Sequence, residues 1–410
     1  MSKSGIGKSA ALANKHQTPE YYIGLMAGTS MDGIDAALVE FGDEDKSKQI
    51  RVVSTHSHAI SETLRTALLD LSLPGRGVAG QDRIDLMGSA DAQLGELLAD
   101  AVNNLLLNAS IGSTQIIAIG SHGQTIRHRP PGAISEFPLP LPFTLQIGDP
   151  NRIAARTGIT TVADFRRRDI ALGGHGAPLV PAFHQAAFRD AEHHRVIVNI
   201  GGISNITRLP AQGLVSGPVS GVVTGFDTGP GNGLLDAWIN RHRGLAYDDG
   251  GQWAAGHVPH PGLLAHLKQH EFFNQPPPKS TGREDFNLDW LDRQLENFAA
   301  IDAGSVQATL LALTAESIAE AIEKTSTLAT EIYICGGGAL NTALMDALKT
   351  LLAPAKVAST SALGIDPEWV EAAAFAWLAR QTLAGLPGSL AEVTGATKAE
   401  ILGAIYPSAY

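Results

Sequence analysis

The chain has 410 residues, a length for two ordinary domains or one large one, and its 44 % hydrophobic content excludes a disordered or fibrous protein. A formal net charge of −11 argues against nucleic acid or an anionic membrane surface as the main partner. No apolar run reaches the ~20 residues of a membrane-spanning helix. Glycine is the outlier, at 44 residues, and the excess is expected to mark tight turns and close approaches of backbone to a ligand.

Residues 1–20 are polar and aperiodic, lack the apolar stretch of a signal peptide, and read as a flexible tail. Gly7-Lys8-Ser9 has no glycine five residues earlier and no preceding strand, so it does not close a phosphate-binding P-loop. A strand over 21–26 leads into Gly28-Thr29-Ser30-Met31-Asp32-Gly33. Further strands over 34–41 and 50–56 complete a predicted antiparallel meander. Helical spacing follows over 60–71 and 84–107. Short apolar strands with polar endings come next, 116–119 into Gly120-Ser121-His122-Gly123 and 160–163 into Asp164-Phe165-Arg166.

The second half repeats this scheme. A strand over 195–200 turns at Gly201-Gly202-Ile203-Ser204-Asn205 into a return strand over 206–209. A strand ending at Phe226 meets Asp227-Thr228-Gly229-Pro230-Gly231-Asn232 and a helix over 234–241. A strand over 331–335 meets Gly336-Gly337-Gly338 and a helix through Leu348. Its Cys335 is the chain's single cysteine and cannot form an internal disulfide, which fits a reducing compartment. The repetition predicts duplicated α/β domains facing each other, over 21–170 and 171–410, with the last residues packing back on the first. Two stretches look inserted: the proline-rich 130–142 and the Gly/Ser/Val-rich 212–223. They read as loops or a hairpin extension, with a ligand lid as the alternative.

The turn from Gly28 to Gly33 joins strand to strand, so its amides and the Thr29 and Ser30 hydroxyls can wrap phosphate oxygens. Asp32 can hold a hydrated Mg²⁺. An ordinary Asp-Gly hairpin is the alternative; the second glycine hairpin, Gly201 to Asn205, favours a two-sided phosphate clamp. Gly336, Gly337 and Gly338 let a flat base or ribose lie on backbone at a helix start, with close strand–helix packing as the alternative. No Gly-x-Gly-x-x-Gly dinucleotide fingerprint follows the first strand. Asp164, Asp169 and Asp227 stand at strand ends, where open α/β sheets hold ligands. Asp227 is read as catalytic rather than as a helix N-cap. Asp164 and Arg166 are read as binding or orienting groups, and Asp169 as a partner of Arg167 or Arg168. The loop from Lys279 to Glu284 either contacts substrate or caps the helix near Asp289. His122, beside Ser121 and Gln124, is a polar ligand contact. The other histidines are scattered with no zinc-ligand spacing.

Seven motifs in order resemble those of the anhydro-N-acetylmuramic acid kinase family. They are the Gly28–Gly33 turn, Ser121-His122-Gly123-Gln124-Thr125, Asp164-Phe165-Arg166, Asn199-Ile200-Gly201-Gly202, Phe226 to Asn232, Lys279-Ser280-Thr281-Gly282-Arg283-Glu284 and Gly336-Gly337-Gly338. The resemblance implies an α/β actin-like ATPase fold (ribonuclease H-like), two related domains closing on ATP in an interdomain cleft. It further implies a cytoplasmic, homodimeric bacterial enzyme of cell-wall recycling. Such an enzyme converts 1,6-anhydro-N-acetylmuramic acid, ATP and water into N-acetylmuramic acid 6-phosphate and ADP, with Mg²⁺. Carried onto this chain, Asp227 is the catalytic base. Gly28, Thr29, Ser30, Met31, Asp32, Gly33, Ile34, Asp35, Gly201, Gly202, Gly229, Gly231, Asn232, Gly336, Gly337, Gly338 and Asn341 serve ATP and its phosphates. Ser121, His122, Gln124, Asp164, Arg166 and Glu371 serve the sugar, and Ala372, Ala373 and Ala374 leave the Glu371 helix slim enough for close approach. Ala27 stands where a serine is common in the family and His175 where a glutamine is. An ordinary sugar kinase of the same fold and an ATP-driven sensor are the competing readings.

Overall fold

The computed structural model describes residues 19–28, 31, 33–42, 50–73, 82–132, 141–212, 221–283, 285–298, 300–326 and 329–408. Residues 1–18 of the tail expected over 1–20, Thr29, Ser30, Asp32, Glu284 and most of the two inserted stretches lie outside the described residues, and Glu20 belongs to the first strand instead.

One strand order is used twice. In the first sheet β1 (Glu20–Ala27), β2 (Gly33–Phe41) and β3 (Ile50–Ala59) form the predicted antiparallel meander. β4 (Ile116–Ser121) then joins β1 in parallel. β5 (Gln124–Arg129) and β6 (Phe143–Ile147) form a separate antiparallel ribbon, and β7 (Thr161–Ala163) lies parallel to β4. The second sheet begins with the meander β8 (Arg195–Ile200), β9 (Ile203–Leu209) and β10 (Thr224–Pro230). β11 (Glu331–Cys335) joins β8 in parallel and β12 (Lys356–Ser359) joins β11. Near the C-terminus β13 (Ala404–Tyr406) returns to pair with β7. The orders β3-β2-β1-β4-β7 and β10-β9-β8-β11-β12 are therefore the same, with β13 added to the first. This is the duplicated α/β architecture of the actin-like class. The inserted stretches fall between paired antiparallel strands, β5 with β6 and β9 with β10.

The central strands are nearly continuous apolar runs because both faces are covered. Val196, Ile197, Val198 and Ile200 of β8 are all fully buried. The helix Arg83–Ala109 packs on β2 and β3, and the helix Ala303–Thr325 on β9 and β10. The remaining faces share the helix Val370–Leu383, which lies along β1, β2 and β4. Its core also takes in Ile197, Leu209, Tyr333 and Cys335 of the second sheet, so one apolar cluster touches both sheets.

The alanines of this helix have a packing role that the sequence did not reveal. They let the helix backbone rest directly on the first sheet. A Cβ on Gly24 of β1 would collide with the Ala372 carbonyl oxygen, and one on Gly120 of β4 with that of Phe375. Only glycine permits such an approach. An ion pair from Arg380 to Glu20, at 2.9 Å, fixes the far end. Among the described residues no single helix is long and apolar enough to cross a membrane.

Gly120→Ala is expected to lower the unfolding free energy by about 3 kcal/mol, because the added methyl group must displace helix backbone. Gly88 is a control, since a Cβ there would meet nothing within 4 Å; Gly88→Ala should stabilise by about 1 kcal/mol. Urea unfolding of the two variants checks both values.

Candidate active site

The strand carrying Asp227 does not end at Phe226 as expected. β10 continues to Pro230, and its register against β9 shifts between Asp227 and Gly229. Such a bulge re-aims the side chain it carries. Asp227 is not a helix cap either, because the helix Gly233–Arg243 starts after Asn232. Its carboxylate Oδ2 accepts from the Ser280 hydroxyl and from the Thr281 amide, each at 3.0 Å. Its own amide donates to the Lys279 carbonyl at 3.1 Å.

The 279–283 loop does not cap the helix near Asp289; it is laid on Asp227. The nearby helix Leu288–Leu295 is capped instead by Asn287, which accepts from the Trp290 amide at 2.9 Å. The loop is held at both ends. Lys279 donates to the Phe272 carbonyl at 2.9 Å with its ammonium 4.3 Å from that ring's centre, and Thr281 donates to Asp285 at 2.7 Å. Burial, aided by Lys324, holds the Lys279 amine below its usual range, with the Asp227 charge opposing.

The second glycine hairpin is joined to this strand end. The Gly201 carbonyl accepts from the Asn232 amide at 2.8 Å, and that of Gly202 from Gly231 and Gly233 at 3.0 and 3.1 Å. Gly231 is glycine because a Cβ would strike the Gly201 carbonyl, and Gly338 because one would strike Ile200. Gly336 combines φ +76° with a place where a Cβ would lie 2.6 Å from Asn199 Oδ1. Close protein packing therefore explains these positions. Gly201 and the exposed Gly337 are the ones that present open backbone, the nearest atoms to an added Cβ being 3.7 and 3.6 Å away. The glycine run forms a 3₁₀ turn (Gly337–Leu340) rather than the start of the helix. The helix Thr342–Leu351 begins later, with Asn341 as its cap, accepting from Leu344 at 3.0 Å.

At the first hairpin the Met31 amide donates to the Gly28 carbonyl at 3.2 Å, and Met31 is buried at φ +56°. A left-handed non-glycine residue costs about 1–2 kcal/mol and persists only where its surroundings hold it. Ile34 is fully buried behind it, Gly33 opens β2, and Asp35 accepts from Ser57 at 2.7 Å.

Arg166 organises the remaining groups. It donates from Nε and NH2 to His122 Nε2, at 3.1 and 2.9 Å, and from NH1 to the Gly176 carbonyl at 2.8 Å. His122 Nδ1 lies 2.8 Å from the Gly123 carbonyl. Nδ1 must donate there, so Nε2 is left as acceptor and the ring is neutral. Burial and the guanidinium hold its pKa at about 3. Burial also lowers Arg166 to about 10, opposed by Glu371 and Asp169. The Glu371 carboxyl is raised by burial and by Asp35, while Arg166 and a hydrogen bond from Asn199 oppose the shift.

Ser121 Oγ, Gln124 Oε1 and Asn199 Oδ1 are among the buried polar atoms of the described residues that have no hydrogen-bond partner. They are the groups a polar ligand would satisfy. Asp164 sits at φ +61°, 3.4 Å from Arg167, with its carboxyl raised by burial. Asp169 pairs with neither Arg167 nor Arg168. It is buried, accepting from the Gly176 amide and the Thr394 hydroxyl at 2.7 Å each, and so fixes the loop whose carbonyl Arg166 uses.

The structure thus brings together His122, Arg166, Asp35 and Glu371, and links them through Asn199 and the Gly336 turn to Gly201, Asn232 and the Asp227 strand. Asn199 and the Gly176 carbonyl were not singled out by residue chemistry. The sequence signals for Asn199 were its place at the end of a buried strand and in the Asn199-Ile200-Gly201-Gly202 motif. Asp32, the metal candidate, lies outside the described residues. Among the described residues no three metal-ligating side chains cluster.

Burial of neutral histidine links stability to pH. The unfolded chain takes up a proton near pH 6.5, whereas folded His122 does so only near 3. Stability is therefore fully present above 6.5 and declines as pH falls toward 3. His128, at about 4, and His184, at about 3, act in the same sense. His122→Gln should make the slope of unfolding free energy between pH 6 and 4 shallower by up to about 1.4 kcal/mol per pH unit. Denaturant melts across that range measure it.

The profile of the family "Anhydro-N-acetylmuramic acid kinase" matches residues 20–408. A protein of that name from Shewanella amazonensis is 51 % identical over 388 residues, covering 95 % of this chain and 99 % of the relative. The one from Shewanella oneidensis is 51 % identical over 383 residues, covering 93 % and 97 %. Among solved structures, component A of the Acidaminococcus fermentans (R)-2-hydroxyglutaryl-CoA dehydratase aligns over 87 % of this chain and 96 % of that one. The TM-score is 0.44 at 12 % identity. With half of all residues shared along nearly the full length of its relatives, the chain belongs to the anhydro-N-acetylmuramic acid kinase family.

Proposed function

We propose that this chain opens 1,6-anhydro-N-acetylmuramic acid with water and phosphorylates the released O6 from ATP, giving N-acetylmuramic acid 6-phosphate and ADP in cell-wall recycling. Relatives of that name at half identity favour this reading over a kinase acting on a free hydroxyl. The observation that carries it is Asp227, a carboxylate re-aimed by a strand bulge and held by two donors on one oxygen.

Water attacks the anomeric carbon as the C1–O6 bond breaks, and O6 takes the γ-phosphoryl group as ADP leaves. Asp227 accepts the water's proton, a task worth ~10²–10⁴ in rate. The departing O6 gains negative charge as phosphorus approaches, so each bond change assists the other. Backbone at Gly28, Gly33, Gly201, Gly202, Gly229 and Gly231 serves the phosphates, with Thr29, Ser30, Met31, Ile34 and Asp35 in the first hairpin. Gly336, Gly337, Gly338, Asn232 and Asn341 line the nucleotide side. The unpartnered Ser121 and Gln124, with His122, Arg166, Asp164 and Glu371, orient the sugar.

Asp32 would hold Mg²⁺ through water, and the bound ion would neutralise phosphate charge. A cytoplasmic homodimer belongs to the same reading.

Mixing the protein with Mg-ATP and the anhydro sugar should give a product heavier by one water and one phosphoryl group by mass spectrometry. In ¹⁸O-water the label should appear at C1; label in the phosphate would mean plain ATP hydrolysis. Asp227→Asn should retain ATP binding and lose at least 10²-fold in turnover. Near-normal turnover would remove Asp227 as the base.

A further inference from the structure

We infer that Ser280 is a positioning residue for Asp227, holding the carboxylate ionised and in one orientation for proton transfer. The inference rests on the reading of Asp227 as the base. Three consecutive residues act on this one side chain and its backbone. Lys279 accepts from the Asp227 amide at 3.1 Å, while the Ser280 hydroxyl and the Thr281 amide both donate to Oδ2 at 3.0 Å. Two donors on one oxygen restrict rotation about the Cβ–Cγ bond and favour the charged form. A base that takes a proton from water needs both properties.

The loop is itself anchored, so the arrangement is built rather than incidental. Lys279 is fixed on the Phe272 carbonyl and ring, and Phe272 is buried against Phe273 and Phe286. Phe273 in turn backs Gly229, two residues beyond Asp227, where a Cβ would lie 2.8 Å from its ring. Thr281 holds the other end through Asp285. Ser280, between the anchors, is exposed. An exposed loop serine has no packing role, so the hydroxyl's contribution is its bond to Asp227.

The test is the pH profile of kcat for the full-length protein with the anhydro sugar and Mg-ATP. Ser280→Ala should reduce kcat roughly ten-fold, as expected for one lost bond to a charged group. Losing a donor disfavours the ionised carboxylate, so the acidic limb of the profile should move to higher pH by about one unit. KM for ATP and for the sugar should not change. Ser280→Thr keeps the hydroxyl and should restore both kcat and the limb. If Ser280→Ala keeps the parent's rate and limb while Asp227→Asn is inactive, the positioning role is overturned and the base reading stands. If Asp227→Asn turns over normally, the base reading itself fails. A drop in kcat with an unmoved limb, a rise in KM, or no rescue by threonine would also overturn the inference, by marking Ser280 as structural or as a substrate contact.

Discussion

The contact on which the rest of the structure depends is one of backbone on backbone. The helix Val370–Leu383 lies so close to β1 and β4 that Gly24 and Gly120 have no room for a Cβ. Dispersion and burial across this seam are strong because no side chain separates the two surfaces. Phe375, fully buried on that helix, then packs on Phe165 and on the His122 ring at 5.6 and 4.8 Å between ring centres. The helix also starts with Glu371 in its first turn, beside Asn199 of the second sheet. A packing decision at two glycines therefore sets where an acid, a histidine and an arginine meet.

Those polar groups occupy a low-dielectric region, where an unpaired charge is costly. The solution here is unequal pairing. Arg166 remains charged and gives three of its donors to neutral acceptors, two contacts to one imidazole nitrogen and one to a carbonyl. Glu371 and Asp169 oppose the loss of its charge, and among the described residues neither forms a direct ion pair with it. His122 must remain neutral for this to work, and its bond to the Gly123 carbonyl selects the required tautomer. Ser121, Gln124 and Asn199 are left with unmatched buried atoms nearby. Buried polar atoms left in this way are ones that a polar ligand would satisfy.

The duplicated meander and the order of motifs were legible because they depend on local periodicity and on turn chemistry. The reasons for individual residues were less so. Gly336, Gly338 and Gly231 were expected to face a nucleotide, yet the atoms that require glycine there belong to Ile200, Asn199 and Gly201. Asn341 is a helix cap in the structure, because the helix begins at Thr342 and not at the glycine run. Asp169 was assigned to neighbouring arginines because they adjoin it in sequence; its partners, Gly176 and Thr394, include one 225 residues away.

By itself the sequence determined the two-fold α/β plan, the family, and the short list of acids and glycine turns from which a site is made, since each rests on residues near one another along the chain. Only the tertiary structure decided what those residues touch. The bulge at Asp227 is a mismatch between two strands, and its Ser280 and Thr281 donors come from 53 and 54 residues away. The glycine excess that stood out in the composition divides in the same manner. Some of it forms turns that local pattern can reveal, while Gly24 and Gly120 lie inside strands and are glycine because of a helix about 250 residues or more further along the chain. No local rule encodes such a contact, because it exists only when the chain has folded back on itself.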